Sequence, residues 1–247
     1  MELLKLMTKY YIDTAKRALK FSIKNWPVMF ALVIYSVILA LGGILLSKLS
    51  FLGGLVLAII AAACTSSYLY LIENIINNRI ADTNDFKNSF TPYLGRVMNI
   101  TFYIWIASLL YGLIADVIIK TPYGNIINTA VLILVVILLN PLPEMIYQTN
   151  NSETGVFPAS FNFMKENFIE WAVPNLLFNL AIYYLFGGNI GLSFSLGMKF
   201  TSVGIIKFLL GLFVVLFMMV YRGILFRFLN GSTRRSRLFK LRMLSFK

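Results

Sequence analysis

Six long apolar stretches, almost free of charged residues, run through the chain. Most approach the roughly 20 residues that an α-helix needs to cross a hydrocarbon layer about 30 Å thick. The pattern therefore predicts an all-α, polytopic membrane protein with six transmembrane helices. The stretches cover residues 28–47, 50–72, 97–115, 126–143, 171–186 and 203–221.

Hydrophobic residues make up 59% of the 247 residues, whereas about 45 to 50% is ordinary in soluble domains. The longest segments outside the apolar stretches, residues 1–27 and 144–170, have 27 residues each. They are too short to fold alone, because domains below about 40 residues usually need disulfides or metals. We expect one membrane domain, 1–247. Its predicted parts are an amphipathic segment at 1–26, hairpins at 28–72, 97–143 and 171–226, and a basic tail at 227–247.

The chain contains no histidine and one cysteine, Cys64. Histidine is the commonest general base and metal ligand, and a single cysteine cannot form a disulfide within the chain. We therefore expect no catalytic residue, no metal site and no cofactor.

Basic residues exceed acidic ones by 12, and their positions indicate topology. With the amino terminus in the cytoplasm, 18 of the 22 lysines and arginines fall on the cytoplasmic side. Because cytoplasmic loops are enriched in basic residues, both termini are predicted to be cytoplasmic. Topology accounts for the charge, so no nucleic-acid partner is expected. The four remaining basic residues are Lys48, Lys120, Lys199 and Lys207.

A small residue followed by a bulky apolar one recurs at a constant interval along the sequence, shortly before the first, third and fifth apolar stretches. Asn25 and Asn167 follow the first and third of these pairs at the same distance, and the same interval relates Glu73 to Glu144. A threefold repeat of one hairpin explains the pattern, and chance similarity among apolar segments is the alternative. The pairs are Ala18-Leu19, Ser89-Phe90 and Ser160-Phe161.

Residues 1–24 place a charged face opposite a largely apolar one at helical spacing. Such a helix is expected to lie in the headgroup layer with its cations toward anionic lipid. Residues 157–170 show the same separation of apolar and charged residues. In both places the alternative is an ordinary continuation of the transmembrane helix. The faces of the first segment are Lys5, Lys9, Asp13, Lys16 and Lys20 opposite Leu3, Met7, Tyr10, Thr14 and Phe21, and the second has Phe157, Phe161, Met164 and Phe168 opposite Lys165 and Glu166.

Polar residues near the ends of the apolar stretches form a candidate cluster. Charged groups in hydrocarbon are costly, so they usually face protein or water. If the hairpins are related, Glu73, Glu144 and Arg222 lie at one depth and converge; the alternative is that each reaches the interface separately. Asn175 and Asn179 share a helix face that we expect to look inward. The candidate cluster is Glu73, Asn140, Glu144, Asn175, Asn179 and Arg222.

Two prolines, Pro141 and Pro143, follow Asn140 at the end of the fourth stretch. Each lacks an amide donor, so carbonyls near residues 137–139 lose their helical partners. Simple helix termination is one interpretation. A discontinuous helix whose carbonyls line a binding site is the other.

The segment 227–247 is basic and contains no acidic residue. Basic segments with interspersed apolar residues adsorb to anionic leaflets. Anionic membrane lipid is therefore the predicted partner. The candidate lipid contacts are Arg234, Arg235, Arg237, Lys240 and Arg242.

The motifs at 18–26 and 160–168, together with Tyr221-Arg222-Gly223 and its basic tail, resemble a known family. It comprises six-helix membrane proteins of Gram-positive bacteria related to the membrane domain fused to some glycerophosphodiester phosphodiesterases. The resemblance implies a bacterial plasma-membrane protein. It implies no catalytic residue here, because that family's hydrolytic site lies in a separate soluble domain.

Three functions are compatible with the sequence. The first is a non-enzymatic scaffold or sensor of the envelope that associates with lipid, alone or as a homo-oligomer. The second is the permease subunit of a small ABC-type exporter, whose loop at 76–99 would dock a separate ATPase subunit. An intramembrane enzyme is the least favoured.

Overall fold

The computed structural model describes residues 2–186 and 202–232. These residues form nine α-helices, two short 3-10 helices and no strand, which confirms the all-α prediction for this part of the chain. The helices are α1 (Glu2–Lys24), α2 (Met29–Leu46), α3 (Ser50–Asn78), α4 (Thr83–Asn88), α5 (Leu94–Ile119), α6 (Gly124–Leu138), α7 (Leu142–Gln148), α8 (Val156–Leu185) and α9 (Ser202–Leu229).

Five helical stretches in the described residues are long and apolar enough to cross a membrane. The chain is therefore a multi-pass membrane protein. The first stretch, with 53 residues, combines α2 and α3. The stretches are Trp26–Asn78, Leu94–Ile119, Gly124–Gln148, Val156–Leu185 and Gly204–Leu229.

The chain turns sharply between α2 and α3. A short 3-10 segment, Ser47–Leu49, separates the helices, and Ser50 has a positive φ of 48°. A Cβ atom at Gly53 would overlap the carbonyl of Leu46, whereas Gly54 faces open space. The close approach of the chain at this turn therefore requires the absence of a side chain at Gly53, but not at Gly54.

Contacts group the chain into two compact units. The first unit consists of Met1–Ile44, Leu71–Lys87 and Ile169–Lys247, and the second of Leu45–Tyr70 and Asn88–Phe168. Burial within the first unit is concentrated on one face of α1, the end of α3, the beginning of the 169–185 part of α8 and the second half of α9.

In the first unit, α1 packs along α9. The ring of Tyr10 stacks on that of Phe228 with 3.9 Å between centroids. The hydroxyl of Tyr11 donates to the carbonyl of Glu170 at 3.0 Å. That carbonyl lacks its helical donor because Pro174, four residues later, has no amide hydrogen. Tyr11 therefore satisfies a backbone group of α8 that a proline has left open.

In the second unit, α5 packs against α6, and the hydroxyl of Tyr111 donates to Asn128 Oδ1 at 2.6 Å. The helix breaks after Leu138 and restarts as α7. The carbonyl of Leu138 accepts a hydrogen bond from the Ser160 hydroxyl at 2.6 Å. The proline-rich segment thus makes a discontinuous helix, and the hydroxyl of Ser160 binds the carbonyl that the break leaves without a helical donor.

Arg96 binds the carbonyls at the carboxyl end of α7. Its guanidinium donates to the carbonyls of Ile146 and Thr149, both at 2.6 Å, and to that of Asn151 at 2.9 Å. The last carbonyls of a helix have no helical donor and carry partial negative charge. A planar cation with several donors satisfies both requirements.

Replacing Arg96 by glutamine should therefore destabilise the protein. Loss of three charge-assisted bonds to carbonyls predicts a cost of about 2 to 4 kcal/mol, with Arg96→Lys intermediate because lysine lacks the fork. Thermal unfolding in detergent measures the effect. The matched control is Arg227→Gln, which removes an exposed arginine bonded to Asn77 and should cost less than about 0.5 kcal/mol. Equal effects of the two glutamine variants would contradict this role.

Candidate functional site

The predicted polar cluster is distributed over both units. Glu73, Asn175, Asn179 and Arg222 belong to the first unit, and Asn140 and Glu144 to the second. Glu144 is fully buried in the first turn of α7, while Asn140 and Glu73 are half-buried. Glu144 is therefore enclosed by protein, and the convergence of Glu73, Glu144 and Arg222 stays a prediction.

Arg222 is also buried, with 8% of its surface exposed. Its guanidinium lies over the ring of Trp171, 5.1 Å from the centroid. Trp171 is fully buried and packs edge-to-face on Phe226 at 6.1 Å. A desolvated cation over an indole ring gains roughly 2 kcal/mol, so the aromatic contact helps to offset the cost of burying Arg222.

Asn175 and Asn179 differ in orientation. Asn175 is buried and its amide donates to the carbonyl of Trp171 at 2.7 Å, whereas Asn179 is exposed. Four residues rotate a helix by about 400°, which leaves the second side chain about 40° away from the first. The predicted inward face therefore holds for Asn175 and is wrong for Asn179.

Helix α1 presents three different faces. Met7, Thr14, Ala18 and Ser22 are buried, and this face packs against the protein. The face predicted to enter lipid contained Met7, Tyr10 and Thr14, so that prediction is wrong. The physical reason is that α9 supplies an apolar partner for these side chains, including Phe228 under Tyr10.

A second apolar face of α1 points away from the protein. Ile12, Leu19 and Ile23 are 50%, 42% and 57% exposed. At about 100° per residue they fall within about 40° of one another and form a strip along the helix. We call these three residues the α1 apolar strip.

A row of cations borders the α1 apolar strip on one side. All its members are exposed, and they lie roughly 40° to 120° around the helix from Ile12. An exposed apolar strip next to a basic row is typical of helices that lie in the membrane interface. The row, which we call the α1 lysine row, is Lys9, Lys16, Lys20 and Lys24.

The first and third predicted repeats have the same local structure. The side-chain amide of Asn25 donates to the carbonyl of Phe21 at 2.8 Å, and that of Asn167 to Phe163 at 3.0 Å. Backbone angles are φ −111°, ψ 28° at Asn25 and φ −127°, ψ 17° at Asn167. Burial along residues 18–28 matches that along 160–170 except at positions 21 and 163.

The three small residues of the repeat, Ala18, Ser89 and Ser160, are all fully buried. Ser89 lies against α3, where its hydroxyl bonds to that of Ser67. Its carbonyl accepts from Ser66 at 3.4 Å. Small side chains at these positions therefore allow the segments to approach neighbouring helices closely.

Asn25 also binds the chain just beyond α3. Its amide donates to the carbonyl of Arg79 at 3.1 Å, and its Oδ1 accepts from the amide of Ala81 at 2.8 Å. Arg79 has a positive φ of 65°, the left-handed conformation that commonly ends a helix. Arg96 occupies the position of the second repeat that Asn25 has in the first, and it binds the chain around the end of α7 in the same way. In the sequence, Arg96 is one of the 18 basic residues expected on the cytoplasmic side, and nothing in the pattern predicts this role.

Within residues 2–186 and 202–232, no group of three or more His, Cys, Asp or Glu side chains is arranged to hold a metal ion. The predicted lipid contacts at Arg234, Arg235, Arg237, Lys240 and Arg242 lie outside the described residues.

No protein-family model, curated protein or solved structure matches the chain. The resemblance to the membrane domain of bacterial phosphodiesterases therefore stays a prediction. The surface of α1 is the feature of the described residues that most directly indicates a function.

The contact between α1 and α9 should weaken at high pH. Burial raises the pKa of Tyr10 from 10.0 to about 12, partly opposed by a hydrogen bond with Thr14 and by the charge of Arg17. Because the folded pKa exceeds the unfolded one, the contribution of Tyr10 to stability is complete below pH 10 and falls as the pH rises to about 12.

Unfolding of the wild type and of Tyr10→Phe, measured in detergent between pH 9 and 12, tests this. The wild type should lose stability relative to Tyr10→Phe across that range. The exposed Tyr123→Phe is the control and should follow the wild type. Parallel curves for the wild type and Tyr10→Phe would contradict the assignment.

Proposed function

We propose that the chain is a non-enzymatic, six-span protein of the bacterial plasma membrane that associates with anionic lipid through α1. In this role it acts as a scaffold or sensor of the cell envelope. The observation that carries the proposal is the α1 apolar strip beside the α1 lysine row, on a helix whose third face is fixed to the protein.

The length of the first apolar stretch supports six spans. A continuous helix of 53 residues would be about 80 Å long, far more than the roughly 30 Å of the hydrocarbon core. The turn at Ser50 divides it into two crossings, α2 and α3. Three hairpins follow, formed by α2 with α3, α5 with α6 and α7, and α8 with α9. The excess of basic residues on one side, 18 of 22, supports a cytoplasmic position for both termini.

The geometry of α1 supports contact with the anionic leaflet. Its apolar strip enters the boundary between headgroups and acyl chains, and its lysine row reaches lipid phosphates. Each basic residue near such a surface contributes about 1 kcal/mol. The four lysines are therefore attracted to an anionic leaflet, whereas a neutral bilayer does not attract them.

Depth-dependent fluorescence quenching tests where α1 lies. An environment-sensitive fluorophore is attached to Ile12→Cys or Ile23→Cys in a Cys64→Ser background, and the protein is placed in nanodiscs containing spin-labelled lipid. We expect at least twofold stronger quenching at these positions than at the control Asp13→Cys, which lies about 100° around the helix from Ile12. Equal quenching at all three positions would contradict the proposal.

Lipid selectivity provides a separate prediction. Native mass spectrometry should detect phosphatidylglycerol retained by the wild type and several-fold less by Lys16→Gln/Lys20→Gln, because half of the α1 lysine row is lost. The control, Lys48→Gln/Lys120→Gln, removes two cations from the predicted opposite side. If both double variants lose lipid equally, the α1 lysine row has no special role.

A permease subunit is the second candidate, supported by the position of α4. This short helix lies in the loop between α3 and α5, and Phe86 stacks parallel to Tyr35 with 6.3 Å between centroids. Lys87 and Asn88 remain exposed on it. A fixed short helix in a cytoplasmic loop would suit docking of an ATPase.

Copurification separates the two candidates. Retained phospholipid without a stoichiometric partner favours the lipid role. A stoichiometric ATPase that is lost from Lys87→Glu, but kept by the α1 variant Lys20→Glu, favours the permease.

A further inference from the structure

A second segment of the chain has the features of α1 without its excess of positive charge. It consists of residues 156–168 at the beginning of α8. With 30 residues, α8 is about 45 Å long, whereas about 20 residues suffice to cross the bilayer. The surplus corresponds to the part before Asn167, where the helical backbone is interrupted.

One side of this segment is held by the second unit. Phe163 and Met164 are buried, and Phe157 packs edge-to-face on Tyr103 at 6.4 Å between centroids. The hydroxyl of Ser160 bonds to the carbonyl of Leu138. The sequence grouped Phe157 and Met164 with the lipid-facing residues, but these two side chains face the protein.

The other side exposes two aromatic rings. Phe161 and Phe168 are each 49% exposed, although both are large apolar side chains. In the first repeat the equivalent positions are Leu19 and Trp26, which are also exposed. The two segments therefore present equivalent apolar positions away from the protein.

The occupant of this surface is membrane lipid. The segment runs directly into the apolar helix 168–185, so its exposed rings lie at the edge of a span. Aromatic side chains are favoured at that depth. Its exposed charges, Lys165 and Glu166, balance each other, whereas α1 carries the four lysines of its row.

We propose that residues 156–168 form a second membrane-surface element, inserted through Phe161 and Phe168 irrespective of lipid charge. Its placement in the same leaflet as α1 rests on the proposed six-span function. The protein would then contact that leaflet at two places, of which only α1 responds to anionic lipid.

Fluorophores at Phe161→Cys and at the control Glu166→Cys, in a Cys64→Ser background, test the proposal with the full chain. Nanodiscs contain spin-labelled lipid in either phosphatidylcholine alone or a mixture with phosphatidylglycerol. Quenching at position 161 should exceed that at 166 at least twofold in both lipids. Quenching at Ile12→Cys should rise only with phosphatidylglycerol. Thermal unfolding of each labelled protein, compared with the parent, establishes that it is folded.

Three results would overturn the proposal. Quenching at 161 equal to that at 166 would show that the rings do not enter lipid. Quenching at 161 only with phosphatidylglycerol would show dependence on charge. Protection of 161 from both lipid and aqueous quenchers would indicate that protein covers it. If position 161 is quenched while Ile12 is not, the second element stands and the proposed role of α1 fails.

Discussion

Backbone carbonyls that have lost their helical donors are the groups on which this structure most depends. A carbonyl that protein shields from water needs a protein donor, because an unpaired buried polar group is costly. Pro174 frees the carbonyl of Glu170, and Tyr11 binds it. The break after Leu138 frees another, and Ser160 binds that one. In both cases the donor belongs to a different helix, so satisfying the backbone also fixes how helices pack.

The same requirement explains why one position of the predicted repeat holds different residues. Asn25 and Arg96 occupy equivalent positions of the first and second repeats, and both bind the chain beyond a helix end. Near Arg79 there is one carbonyl and one amide to satisfy, which suits the acceptor and donor of asparagine. Near α7 there are three carbonyls, which suit the five donors of arginine. The local backbone thus determines the side chain, and in both places the side chain joins the beginning of one helical stretch to the chain near the end of the next one.

The sequence predicts the helices well because hydrophobic length is a local property. It also predicts the break at Pro141 and Pro143, whose missing amides are visible in the residues themselves. The faces of α1 could not be predicted in this way. Apolar residues occur on two sides of that helix, and only the presence of α9 decides which side is buried. For the same reason the burial of Arg222 depends on Trp171, which lies on a different helix and far away in sequence.

The three faces of α1 contribute unequally to the free energy that holds this helix in place. Contact with α9, including the stacked rings of Tyr10 and Phe228, is independent of lipid charge. In the proposed role, the α1 lysine row would add up to about 4 kcal/mol on an anionic surface, reduced by the charge of Asp13 on the same side of the helix, against the roughly 5 to 15 kcal/mol that stabilises a typical domain. In the proposed role, lipid charge would therefore change the free energy that holds α1 in place without supplying all of it. A helix balanced in this way would stay attached in any bilayer and be held most firmly where the leaflet is anionic.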